Sequence, residues 1–281
     1  MVQSSKKRSG GSKVKDVDLV DRHRILTAML GGTGRGGVPL RSEFIQLREP
    51  DSSGSRVSRL ASFTTDPRSL DAYLLIHALA SAKAPHEASY PGLVWAHSAG
   101  FTITASQTSA RQQWSKAVGK LTKLELITAG RDKRQAVYTL LDERGDGEPY
   151  TRPTKIEHGG WVTIPHAYWL DGWDQKLTLA QKLMLLISLD QKQKFELPTN
   201  RVQEWYGVSK STAVRGFDGL RDHGILDADK RTTIDLSTKA MIRTVNVYTT
   251  LGIWTKANRA KTMTIKRRRR RRTAPPEISP S

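Results

Sequence analysis

Residues 197–226 read LPTNRVQEWYGVSKSTAVRGFDGLRDHGIL, and this stretch restricts the fold more than any other. Ala213, Gly216, Phe217 and Leu220 recur at i, i+3, i+4 and i+7, which gives a helix one buried face. Gly207 interrupts the chain before that helix, and a glycine tolerates the positive φ of a tight turn between two helices. Thr199, after Pro198, is expected to cap a short first helix running to about Tyr206. Ser209 is expected to cap the second helix and Gly224 to end it. The pattern is that of a helix-turn-helix. An ordinary αα-hairpin in a helical core shares it, so the flanking parts decide.

Those parts begin at Asp66. Asp66 with Pro67 opens a helix in which Leu70, Tyr73, Leu74, His77, Ala78 and Leu79 keep helical spacing, and His77 reads as a packed core histidine. Tyr90-Pro91 opens a second helix through Trp95 to Ala99, which Gly100 ends. Thr108 or Ser109 is expected to cap a third, with Ala110, Trp114, Ala117, Leu121 and Leu124 on one face. Strands at 126–128 and 136–141 flank a turn carrying Arg131, Lys133 and Arg134. Farther on, 161–170 reads as a short strand and a helical turn. Thr178 caps a helix through Gln191, with Leu179, Leu183, Leu186 and Ile187 inward. After the helix-turn-helix, a strand at Ile225-Leu226 leads into a polar excursion (227–239) with Lys230 and Arg231, and 244–251 alternates as a returning strand.

The two halves align. AVGKLTKLELI at 117–127 lies over GFDGLRDHGIL at 216–226, a shift of 99 residues, and the closing strands Val137-Tyr138-Thr139 and Val247-Tyr248-Thr249 are shifted by 110. A repeated order of helix, helix, turn, helix and hairpin is hard to obtain from an αα-hairpin alone. The expected fold is mainly α with small β-hairpin wings (α+β), built as two tandem winged helix-turn-helix domains at 66–141 and 161–251. A linker is expected at 142–160, where Gly, Pro and charges follow no period. Residues 1–65 are expected to be a flexible basic arm with a possible short helix at 16–30, and 252–281 a basic disordered tail. The GGTGRGG run at 31–37 lacks the Lys-Ser/Thr of a phosphate loop and reads as a flexible linker.

The second unit resembles the GntR-type winged helix-turn-helix of bacterial regulators. Leu197-Pro198, Gly207-Val208-Ser209, Thr212, Leu220 and Gly224-Ile225-Leu226 stand where that family's pattern has them, over about thirty of 281 residues. Val214-Arg215 departs from the family's arginine-then-glutamate, so the arginine is displaced by one position. Nothing downstream resembles the family's ligand-binding domain. The resemblance implies DNA binding.

Charge agrees with a polyanionic partner. Lys and Arg total 46 against 27 Asp and Glu, a net +19 with pI near 10.3. Residues 1–24 carry +4 and 252–281 carry +9, leaving +6 for the body, so charge alone does not assign DNA binding to the folded part. Candidate base and phosphate contacts in the second unit are Ser209, Lys210, Ser211, Thr212 and Arg215 at the helix start, where free N–H groups and the helix dipole also favour phosphate. The 99-residue shift places Arg111, Gln112, Gln113 and Lys116 at equivalent positions. Arg131, Lys133, Arg134, Lys230 and Arg231 are candidates for phosphate or minor-groove contact. The run Lys266–Arg272, with Arg267, Arg268, Arg269 and Arg270 at its centre, would add nonspecific, salt-sensitive affinity.

No cysteine is present, which excludes disulfides and thiolate metal sites and is compatible with a reducing cytosol. No apolar run reaches the length of a membrane span and no secretion signal is read, so a cytoplasmic, nucleoid-associated protein is expected. Neither a His-x-His pair nor a Walker loop is found, and the seven histidines form no metal spacing. The expectation is a non-enzyme without metal or cofactor. Its expected partner is double-stranded DNA, with a second copy or the replication or transcription machinery as further candidates. Transcriptional regulation is the first reading. A plasmid or mobile-element replication initiator is the alternative, and a DNA-bound adaptor using one unit for protein contact is a third.

Overall fold

The computed structural model describes residues 20–153, 160–199, 201–234, 236 and 241–262. In chain order its elements begin with α1 (Arg22–Gly32), β1 (Gly37–Arg41), α2 (Ser42–Ile45) and a 3-10 turn at Arg59–Phe63. A first unit follows with α3 (Pro67–Leu79), β2 (Glu87–Tyr90), α4 (Gly92–Ser98), α5 (Gln107–Lys123), β3 (Ile127–Asp132) and β4 (Gln135–Leu140). After β5 (Trp161–Pro165), α6 (Ala167–Leu170) and α7 (Trp173–Lys176), the second unit comprises α8 (Leu179–Asp190), β6 (Lys194–Glu196), α9 (Val202–Tyr206), α10 (Lys210–Asp222), β7 (Leu226–Ile234) and β8 (Ile242–Thr250). A second 3-10 turn (Gly252–Trp254) and helical residues 256–262 close the described chain. The protein is therefore a mixed α+β protein with small antiparallel sheets.

Both units have the same order, helix-strand-helix-helix-strand-strand. Their sheets also share one strand order, β2-β4-β3 and β6-β8-β7, all antiparallel. The likeness extends to single pairs. Tyr138 on β4 faces Ala129 across the ladder, and Tyr248 on β8 faces Ala228. In each unit that tyrosine lies against an aromatic of the long helix. The Trp114 indole N–H donates to the Tyr138 hydroxyl at 2.8 Å, and Phe217 stacks on Tyr248 with centroids 4.1 Å apart. An alanine opposite each tyrosine leaves room for the ring that couples sheet to helix.

Most caps fall where the sequence places them. Asp66 takes the Ser69 N–H, Thr178 forms a capping box with Gln181, and Ser209 takes the Thr212 N–H. Two differ. Ser106, rather than Thr108 or Ser109, caps α5, and Arg201 precedes α9 with no side-chain cap where Thr199 was expected. Ser106, Thr108 and Ser109 are all residue types that cap, so sequence alone does not choose among them. The strands β2 and β6 were not expected. Each has four residues or fewer, and each is held by a closing strand more than forty residues away.

The expected arm at 1–65 differs most. Residues 1–19 lie outside the description, but Leu26, Leu30, Val38, Leu40, Phe44, Ile45, Leu60 and Phe63 are all buried. β1 is buried at all five positions and pairs antiparallel with β5, from Gly37 opposite Pro165 to Arg41 opposite Trp161. A strand covered on both faces lacks the period of two that reveals a half-buried one. Its glycines serve close backbone approach. A Cβ at Gly37 would lie 2.7 Å from Thr163 Cγ2, and one at Gly36 would lie 2.6 Å from the Thr262 carbonyl oxygen. The expected linker is partly core as well, because Asp142, Glu143 and Tyr150 are buried. Within the expected tail, Arg259 is buried and its guanidinium donates to the carbonyls of Trp254, Leu189 and Thr163. Burial lowers its pKa to about 10.

One buried ion pair joins the units, and two further charge clusters tie in the segments around them. Lys182 on α8 donates to both carboxylate oxygens of Asp71 on α3, at 2.6 and 2.7 Å. Arg22 on α1 pairs with buried Asp174 on α7. The Arg41 Nε and amide both donate to Glu143, at 2.7 and 3.1 Å, and His77 Nε2 lies 3.3 Å from the same carboxylate. His77 is thus a core histidine held by a buried carboxylate.

Candidate nucleic-acid interface

The long third helix of each unit presents an exposed face opposite its packed one. On α10, Ala213, Gly216, Phe217 and Leu220 are buried, while Lys210, Ser211 and Arg215 are exposed. Gly207, at φ +67°, makes the turn into it. The turn is tight on its other side too, since a Cβ there would lie 2.7 Å from Ala61 Cβ. The 3-10 turn at Arg59–Phe63 therefore seats the turn between α9 and α10. That same turn meets α5, where Lys120 donates to the Ser62 carbonyl at 2.7 Å and pairs with Asp66 at 3.2 Å.

Ser209 and Thr212 are already engaged. The Ser209 hydroxyl accepts the Thr212 amide at 3.2 Å and donates to the Thr212 hydroxyl at 2.9 Å. Both residues order the helix start. The amides of Lys210 and Ser211 are in the first turn, where no intrahelical acceptor exists. Arg215 lies back along the helix, with Nε directed at the Ser211 carbonyl at 3.4 Å. It extends from the second turn of α10.

On α5, Arg111, Gln112 and Lys116 are exposed. Gln113 is half-buried and donates to the Ser109 hydroxyl at 3.1 Å, which reduces its reach. The 99-residue shift matches the helix ends, with Leu124 and His223 both C-caps, but not the starts. Ser106 and Ser209 are 103 residues apart, so α5 has an extra turn at its N-terminus. Arg111 is therefore the fifth residue of its helix, whereas Lys210 is the first of its own. The helix-terminus field, which fades within one turn, acts on Lys210 and Ser211 but on Gln107, Thr108 and Ser109 in the first unit. Those three were not selected from the sequence, because the cap was placed two or three residues too late.

The hairpins differ more. The β3–β4 hairpin closes through Lys133 and Arg134 alone, with Lys133 at φ +51° and Asp132 paired with Gln135. Arg131, Lys133 and Arg134 are all exposed. Lys230 and Arg231 sit within β7 rather than on a polar excursion. Lys230 is exposed, while Arg231 pairs with Glu196 on β6. Among the described residues, Arg111, Lys116, Arg131, Lys133, Arg134, Lys210 and Lys230 make no side-chain hydrogen bond or ion pair. Arg267, Arg268, Arg269 and Arg270 lie outside the described residues.

Among the described residues no three His, Asp or Glu side chains gather as a metal site, and no helix is long and apolar enough to cross a membrane. His23, His86 and His97 each bond a main-chain carbonyl. No protein-family model, curated protein or solved structure matches the chain.

Proposed function

We propose that each unit is a winged helix-turn-helix, and that the chain binds double-stranded DNA sequence-specifically through both, as a transcriptional regulator. The observation that carries this reading is the repeated arrangement of one long helix with a basic, exposed face beside a two-stranded hairpin with basic side chains. A major groove admits such a helix, and the hairpin reaches neighbouring phosphates or the minor groove. Lys210 and Arg215 can donate to guanine O6 and N7, Gln112 can pair with adenine, and Arg111 and Lys116 extend the same face. Ser209 and Thr212 set the helix start, and Lys133 and Arg134 serve phosphate.

A second reading, a plasmid or mobile-element replication initiator, is favoured by one observation. The two units differ in sequence and are tied by the buried Lys182–Asp71 ion pair, so a single chain would bind one asymmetric site in a fixed sense. Such sites repeat head to tail, whereas a palindrome needs a symmetric pair of chains.

Selection from a random-sequence duplex library by the purified full-length chain tests both. Enrichment of a bipartite motif supports the proposal. Recovery of unenriched DNA only would refute sequence-specific binding. Occurrence of that motif as tandem direct repeats would favour the initiator, and single sites upstream of promoters would favour the regulator.

A further inference from the structure

The second hairpin outgrows its sheet. β6 covers β8 only at Val247–Thr249, and beyond Ala228 every described residue of β7 is exposed. Lys230–Ile234 with Ile242–Asn246 thus form a two-stranded ribbon, five residues or roughly 17 Å long at the usual rise per residue. The described residues at its outer end are apolar. Ile234 and Leu236 are 82% and 81% exposed, and Met241 and Ile242 are 61% and 52% exposed. Ile234 and Ile242 face each other across the ladder. In the first unit the corresponding end is Lys133 and Arg134.

Strand alternation sorts the ribbon's faces. The face that packs Ala228 and Tyr248 against Phe217 of α10 continues outward as Lys230 with Asn246, Thr232 with Thr244, and Ile234 with Ile242. Asp227 and Asp229 fall on the opposite face. Among the described residues, the side continuous with α10 therefore carries a cation, then neutral hydrogen-bonding groups, then Ile234 and Ile242, and no carboxylate.

We propose that this ribbon is a DNA-bending arm, whose Ile234 and Ile242 wedge between base steps from the minor groove while Lys230 holds the adjoining phosphates. The inference rests on the DNA binding proposed above. Apolar side chains inserted at a base step unstack it and kink the duplex by roughly 20–90°. A basic stem beside an apolar end supplies both the phosphate attraction and the wedge.

The test uses the full chain and a 40-base-pair duplex rich in TA steps, labelled at both ends for energy transfer. It compares the unmodified protein with the double variant Ile234→Ser, Ile242→Ser. Both positions are on the surface, so the fold is retained. Binding of the unmodified protein should raise energy transfer. The variant should still bind, within about fivefold, but leave the duplex straight. A central two-base mismatch should tighten binding by the unmodified protein about tenfold, because part of the deformation is already made, and should not help the variant. Binding with no bend, or an equal bend in the variant, would overturn the wedge and leave DNA binding intact. A change in the variant's sedimentation would assign the apolar end to contact between copies instead and also overturn it. Failure to bind any duplex would remove the DNA reading and this inference together.

Discussion

The two units use one topology with opposite emphasis. In the first, eight residues (99–106) separate α4 from α5, whereas three (207–209) separate α9 from α10. The longer connection is anchored on the neighbouring segment, where Gln175 donates to the Ala99 carbonyl at 3.3 Å. The first unit also has an additional turn on α5 and a short, basic hairpin, while the second has a tight helix-turn-helix and a long ribbon with an apolar end. One fold supports both because the coupling of hairpin to helix is constant, an aromatic on the helix against a tyrosine on the closing strand. What lies outside that contact is free to vary, as expected of surface elements that carry function.

The comparison is most easily broken at the seam. Lys182→Ala would leave Asp71 buried without its cation, and a cost of about 3–5 kcal/mol is expected in urea unfolding. Both units should lose stability in a single transition. Two separate transitions, with only one displaced, would show that the units fold independently.

The same seam should respond to pH. Desolvation raises the Asp71 carboxyl to about 6 despite the nearby Lys182. Because the folded-state value is above the unfolded one, the folded state holds the proton more tightly between about pH 4 and 6. Asp71 therefore subtracts stability as pH rises through that window, on the order of 3 kcal/mol, and no more above it. Measured stability against pH should lose this downward component in Asp71→Asn, and an unchanged profile would contradict the buried position of the carboxyl.

A smaller effect separates the helices. A Cβ on Gly216 would lie 2.4 Å from Met184 Cγ and 2.5 Å from the Ala180 carbonyl oxygen, so Gly216→Ala should destabilise by about 1–3 kcal/mol. The matching position in the first unit is Ala117, and Ala117→Gly should cost only about 1 kcal/mol, through helix propensity. Equal tolerance of both changes in thermal melts would show that α8 does not approach α10 as closely as described.

The sequence made the α10 region legible because its signals are local. Gly207, Ser209, Gly224 and the 213–220 face all lie within one short window and act on near neighbours. The seam was not legible. Lys182 sits in an apolar helix among Leu183, Met184 and Leu185, and nothing beside it in sequence indicates an aspartate 111 residues away. β1 was read as part of the flexible arm for the same reason, since its partner β5 begins after the whole first unit. At the candidate interface, the exposed faces of α5 and α10 were read from periodicity, but the start of α5 was not, because Ser106, Thr108 and Ser109 are all competent caps. Arg231 was grouped with Lys230 by composition, yet strand alternation puts them on opposite faces, and only Lys230 shares the side with α10.

Hydroxyl-radical footprinting on a library-selected duplex addresses the pairing of the two units most directly. The full chain should protect two separated segments. Arg111→Ala with Lys116→Ala should release one, and Lys210→Ala with Arg215→Ala should release the other, each at a cost of about 1–3 kcal/mol in discrimination against random DNA. A single protected segment, indifferent to one of the two variant pairs, would contradict the claim that both units read DNA.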